Sequence, residues 1–224
     1  MPDTPAPSVR ARNRQATRDA VLDAAERLLR QSPLAEFSMR ELAAEAGVGF
    51  ATPFNHFGSK TMIMQGLSAR LIAVMAARFR ARNPPGDAID RTLEMGWIAV
   101  ACLLEQPDVY KAVVGSLGSV GTPASAVRGQ SRDLWATALG DLRGLAPDLH
   151  ERARSVLPDQ IAFAFRGCLS FWIAGEIEDS RLAAAVETST AVTLLGFARP
   201  ARRSHLLDRL TFRTPAQTAP AHDT

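Results

Sequence analysis

The stretch from Ser38 to Lys60 confines the chain more tightly than any other. Ser38 and Glu41 have the S-x-x-E spacing of a capping box, in which the two residues satisfy each other's backbone N–H groups, so a helix starts here. Leu42, Ala43 and Ala46 give that helix a small apolar face, and the small Ala43 lets a second helix cross closely. Gly47 stands where a residue of positive φ ends a helix sharply. Val48 is an apolar plug after the turn, and a second short helix starts at about Phe50. Two short helices joined so tightly make a helix-turn-helix. The physical purpose of such a unit is to present the N-terminal side chains of its second helix to base edges in a major groove, while neighbouring groups hold phosphates.

The rest of the chain is helical in period. Val21, Leu22, Ala25, Leu28 and Leu29 form the stripe of an amphipathic helix over about 14–31, and Ser32-Pro33 ends it. Further helices are expected near 39–46, 50–56, 59–82, 87–104, 108–115, 124–144, 148–177 and 180–197. Strict apolar/polar alternation is scarce, so the fold class is all-α. Asn83-Pro84-Pro85-Gly86 is the strongest interior punctuation and marks a domain boundary. The ends, rich in Pro, Ala, Thr and charge, read as disordered: a basic arm over 1–13 and a flexible basic tail over 201–224.

Charge is distributed unevenly along these segments. Residues 1–18 carry net +3 and residues 199–224 net +3, which leaves the body at net −3. Basic ends on a mildly acidic body fit either a polyanion partner or two solvated tails. Two cysteines, Cys102 and Cys168, exclude a disulfide framework and a cysteine zinc site and fit a reduced, cytoplasmic protein. The start lacks the apolar core of a secretory signal. The longest apolar run, Ile161–Gly175, is broken by Arg166, so no membrane partner is expected.

Residues Phe54-Asn55-His56-Phe57-Gly58-Ser59-Lys60 resemble the end of the DNA-binding domain in the TetR family of transcriptional repressors. There an aromatic residue, a polar pair, Phe and Ser-Lys join a recognition helix to a long linking helix. Ala20-x-x-x-Ala24-Ala25-x-x-Leu28-Leu29 is similar to the first helix of that family. The resemblance covers about residues 14–80 and implies a helix-turn-helix domain over 14–60, a linking helix to about 82, and a helical ligand-binding and dimerisation domain over 83–200. It implies double-stranded DNA with a near-palindromic operator as partner, a homodimer, and an unknown small-molecule effector.

Carried over residue by residue, it places Arg14 and Arg18 near DNA backbone and turns Ser38 and Arg40 toward phosphates. Gly49 falls at the turn, and Phe50, Ala51, Thr52, Phe54, Asn55 and His56 lie on the recognition helix. Lys60 touches phosphate, and Ser59 caps the helix that follows. This chain departs from the pattern at three places. Gly49 replaces a Ser or Thr cap. Phe54 replaces Tyr and lacks its hydroxyl. Pro53 replaces a branched aliphatic; with Gly49 as N-cap it falls in the first turn, where its missing N–H costs least.

Other motifs carry no chemistry. His56, His150, His205 and His222 form no close ligand pair, so no metal is expected. Gly47-x-Gly49 follows a helix, not a strand, and is no dinucleotide loop. Gly115–Gly121 lacks the G-x-S-x-G of a nucleophile elbow. With no catalytic constellation and no cofactor motif, the chain is not expected to be an enzyme. Two helices of the second domain, around Trp97 and over Ile161–Ala174, are apolar nearly all round and belong in a core or an interface. Trp97, Cys102, Phe163 and Trp172 are the expected lining of an effector cavity, with Arg166 as its polar anchor. Arg166 can instead pair with Glu94, Glu105 or Glu176, since a buried charge needs a partner. Small residues of the last two long helices, among them Ala162, Gly167 and Ala184, suit a four-helix dimer interface. The alternatives are a constitutive DNA-binding regulator whose second domain only dimerises, and a helical enzyme or carrier with an incidental helix-turn-helix.

Overall fold

The computed structural model describes residues 8–32, 36–118 and 126–210. Among them are ten α-helices: α1 (Val9–Gln31), α2 (Met39–Glu45), α3 (Ala51–Phe57), α4 (Lys60–Arg82), α5 (Ala88–Leu104), α6 (Pro107–Gly115), α7 (Val127–Leu139), α8 (His150–Ile173), α9 (Asp179–Leu195) and α10 (Pro200–Leu210). No strand occurs among the described residues. The all-α expectation is met.

Two hydrophobic cores organise these helices. The first gathers Val21, Leu22, Leu29, Leu42 and Phe57 of the N-terminal helices, and Phe37 just before α2, with Ile63, Met64 and Leu67 of α4. The second, larger core joins α4 from Leu71 onward to α5, α7, α8, α9 and α10. Helix α4 therefore changes core between Leu67 and Leu71, without any break in its helix. By length and hydropathy alone it is long and apolar enough to cross a membrane. Its apolar side chains are instead divided between the two cores. Helix α6 does what the punctuation at residues 83–86 hides: its Val109 and Val113 lie in the N-terminal core and its Val114 in the other.

Helix ends follow local chemistry. Helix α1 starts at Val9, well before the expected residue 14, because the Ser8 side chain accepts from the Ala11 N–H and caps it there. Apolar spacing marks only the buried part of that helix, so the exposed turn with Arg10 and Arg12 carries no stripe. Of the expected disordered arm over 1–13, residues 9–13 are thus helical, and residues 1–7 lie outside the described residues. Helix α7 stops at Leu139, short of 144, where Gly140, Leu142 and Gly144 all take positive φ. Helix α8 passes through the buried Pro158 and ends before Gly175, at φ 79°.

The expected flexible tail is also partly structured. Helix α10 buries Leu206. Its Arg202 reaches Asp87 at 2.9 Å and Asp90 at 2.5 Å, and its Arg209 reaches Glu187 at 2.6 Å. Burial raises the Asp90 pKa, but the hydrogen bonds from Arg202 and from the Asp87 backbone outweigh that and hold it low. Two of the tail's arginines are therefore committed to carboxylates of the body rather than offered to a polyanion. Residues 211–224 lie outside the described residues.

Candidate nucleic-acid interface

The turn between α2 and α3 is built from local hydrogen bonds. Ser38 Oγ accepts from the Glu41 N–H at 3.2 Å, and the Ser38 N–H donates to Glu41 Oε2 at 2.7 Å, which completes the capping box. The Ser38 backbone bond, then its side chain, then the positive Lys60 hold the Glu41 carboxyl below its ordinary pKa, against a smaller opposing effect of burial. At the other end Gly47 has φ 65°. Its N–H donates to Ala44 O at 3.1 Å and the Val48 N–H donates to Ala43 O at 3.0 Å, the paired bonds of a Schellman turn. Val48 packs against the N-terminal core.

Helix α3 then starts one residue later than expected, with Phe50 rather than Gly49 as N-cap and no side-chain cap. The Gly49 carbonyl accepts from the Thr52 N–H at 2.8 Å. Pro53 lies in the first turn and is buried, so it serves as core rather than breaking the helix. Phe57, also buried, anchors the other end. Gly58, at φ 81°, turns the chain, and Ser59 caps α4 by accepting from the Met62 N–H at 3.3 Å.

With Pro53 and Phe57 facing inward, the opposite face of α3 is bare. Phe50, Ala51, Phe54 and Asn55 are exposed, in the i, i+1, i+4, i+5 pattern of one helical face. The rings of Phe50 and Phe54 meet edge to face with centroids 5.6 Å apart. On the neighbouring elements Arg14 of α1, Ser38 and Arg40 at the start of α2 and Gly49 of the turn are exposed, while Thr52 and His56 of α3 and Lys60 of α4 are half-buried. Lys60 Nζ lies 4.8 Å from the centroid of the Phe37 ring.

Arg18 is placed differently from the others. Its guanidinium donates to the His56 carbonyl at 2.6 Å and covers the Phe57 ring at 4.2 Å. It positions the end of α3 from within. Two further arginines that spacing did not single out complete the frame. Arg27 binds Glu45 at 2.6 Å and fastens α1 to the end of α2. Arg70 binds Asp23 at 2.5 Å and the Asp19 carbonyl at 3.2 Å, fastening α4 to α1.

The five residues expected around an effector do not gather. A cavity of about 240 Å³ opens among α4, α6, α7 and α8, and of the five only Phe163 and Arg166 line it. Trp97 is 47% exposed, beside Arg82 and Pro84. Cys102 is buried in the larger core. Trp172 is fully buried, with its Nε1 donating to Asp179 Oδ1 at 2.7 Å. Nor does Arg166 pair with the carboxylates expected: Glu94 binds Arg82 at 2.6 Å, and Glu105 binds Arg78. The guanidinium of Arg166 donates instead to the Val114 carbonyl at 2.8 Å.

A helix-turn-helix whose second helix is bare on its outer face, carried on an all-helical body, defines the helix-turn-helix class of protein. The family model for bacterial regulatory proteins of the tetR family matches residues 21–67. Over those residues the chain is similar to the tetR family. It is 32% identical over 121 residues to the HTH-type transcriptional regulator EthR of Mycobacterium tuberculosis, covering 53% of this chain and 52% of EthR. It is 30% identical over 87 residues to the HTH-type transcriptional repressor LfrR of Mycolicibacterium smegmatis, covering 39% of this chain and 45% of LfrR. The chain thus spans about half the length of these relatives. Its fold is that of a TetR transcriptional regulator from Rhodococcus sp. RHA1, with a TM-score of 0.65 at 19% identity, covering 80% of this chain and 97% of the other.

Proposed function

We propose that this protein is a cytoplasmic transcriptional repressor that binds a near-palindromic operator as a homodimer and is released from it by a small molecule. The observation that carries this is the bare face of α3, with Phe50, Ala51, Phe54 and Asn55 exposed, and Arg14, Ser38 and Arg40 exposed on the elements packed with it. EthR is named a regulator and LfrR a repressor, which supports the direction of control. One α3 buries too little for a specific site, so two must act together. Phe171 and Val192, exposed on α8 and α9, offer apolar area for pairing.

The cavity favours a ligand-responsive protein over a constitutive one. Ser68, Leu71, Ile72 and Met75 of α4 line it, and the same helix begins at the reading head. A ligand that prefers one tilt of α4 shifts the separation of the two heads, and only that difference in affinity moves the equilibrium. Band shifts across a salt series test the assignment of residues. Lys60→Ala weakens specific and non-specific binding alike and lowers the salt slope by about one. Asn55→Ala instead narrows the gap between operator and random DNA. Wild-type affinity in both variants at every salt concentration refutes the assignment.

A further inference from the structure

We propose that the cavity takes a small apolar monoanion, a carboxylic acid whose head is held by Arg166 and whose body fills the space between α4 and α8. This deepens the effector-release function proposed above and rests on it. Three properties of the walls choose the ligand. The first is body: apolar side chains, among them Leu71, Met75, Leu103, Leu134, Phe165 and Leu169, make most of the lining, which no polar body could satisfy. The second is size. A cavity of about 240 Å³ falls just below the usual range for drug-sized ligands, so the ligand is small. An eight-carbon chain or a substituted benzene ring matches.

The third property is charge. Arg166 is half-buried, and among the described residues its guanidinium bonds to a neutral carbonyl, that of Val114. Burial draws its pKa down, and no carboxylate among the described residues opposes that. A desolvated guanidinium without a counter-ion is costly, and an anion relieves that cost. A neutral ligand leaves it standing, and an ammonium worsens it. A polyanion needs a second cation, and the other arginine at the cavity, Arg128, is already held by Asp159 at 3.2 Å. The guanidinium fork matches a carboxylate with two parallel bonds. The acceptor it now uses, Val114, adjoins Val113, which is packed in the core of the reading head. A ligand head on Arg166 is therefore one residue away from the element that α1 and α4 rest upon.

The test uses the full chain without DNA and reads intrinsic tryptophan fluorescence. Trp135 reports on the cavity, because its ring meets the edge of Phe165 at 5.4 Å between centroids. Octanoate, 4-propylbenzoate, 1-octanol and octylammonium are titrated separately below their aggregation limits. At least one of the two acids is expected to saturate the signal, with 1-octanol about 10- to 100-fold weaker, the span of a charged hydrogen bond. Octylammonium is expected to give no saturation. Arg166→Met is expected to weaken the acid by a similar factor and leave 1-octanol unchanged, which also shows that the variant keeps a folded cavity. Equal affinity for acid and alcohol overturns the proposal. So does an Arg166→Met variant that keeps its affinity for the acid, or failure of both acids to bind at millimolar concentration. An acid bound through Arg166 that leaves operator binding intact sustains this site and refutes effector release. Release by a neutral ligand alone refutes this site and sustains effector release.

Discussion

Arg18→Met separates a positioning arginine from a phosphate-binding one. The substitution keeps most of the apolar stem and removes two interactions: the bond to the His56 carbonyl at 2.6 Å and the stack over Phe57 at 4.2 Å. A hydrogen bond from a charged donor contributes about 1.5–3 kcal/mol, and a cation–π contact about 0.5–2 kcal/mol. The two share one guanidinium that is only half-buried, so they do not add, and about 2 kcal/mol is the expected loss. In a chain of this size each kcal/mol moves the melting temperature by about 2–4 °C, so the drop is about 4–8 °C. Circular dichroism melts measure it. Operator affinity should fall as the end of α3 loosens, while the salt slope stays as in the wild type, because the Arg18 guanidinium is engaged by the His56 carbonyl and the Phe57 ring. The opposite pattern, an unchanged melt with a slope lowered by about 0.9, is that of a phosphate contact and refutes this placement.

Three further outcomes follow from the same geometry. Gly47→Ala costs about 1–2 kcal/mol in urea unfolding, because its φ of 65° strains any residue with a Cβ although the space beside it is open; Gly47→Asn recovers part of that loss. The lowered pKa of Glu41 means that its capping contribution is full above the ordinary value of 4.5 and is lost as pH falls through the lowered one. Melts taken between about pH 6 and pH 3 should therefore decline more gently for Glu41→Gln than for wild type, and parallel curves refute the cap. In a major groove, the apolar partner open to exposed aromatic rings such as Phe50 and Phe54 is the thymine methyl group. Replacing thymine by deoxyuridine in the operator should weaken wild-type binding and leave Phe50→Ala less affected, with equal losses in both refuting the contact.

Local chemistry was legible in the sequence, and long-range pairing was not. The Ser38–Glu41 box, the turn at Gly47 and the Ser59 cap each depend on residues within five positions of one another, and all three stand in the fold. Arg27 and Glu45 are 18 positions apart, and Arg70 and Asp23 are 47 apart; no spacing rule joins them. Helix α10 was missed because its basic, sparsely apolar sequence buries only Leu206, and its hold on the body comes from Asp87, Asp90 and Glu187 far upstream. The cavity failed for a different reason. An apolar helix declares that it is surrounded, but not where its neighbours leave a gap. Trp97 and Trp172 share that signature with Phe163, and packing alone sends one to the surface, one to the core and one to the cavity.

Selection of double-stranded DNA from a random pool by the full chain tests the central claim most directly. The predicted result is enrichment of a near-palindrome with two half-sites, bound at least about 10³-fold more tightly than random duplex at physiological salt. Loss of that preference in the Asn55→Ala variant would locate it on α3. A pool that stays random through selection at low salt, with a chain that is folded by circular dichroism, would contradict the account.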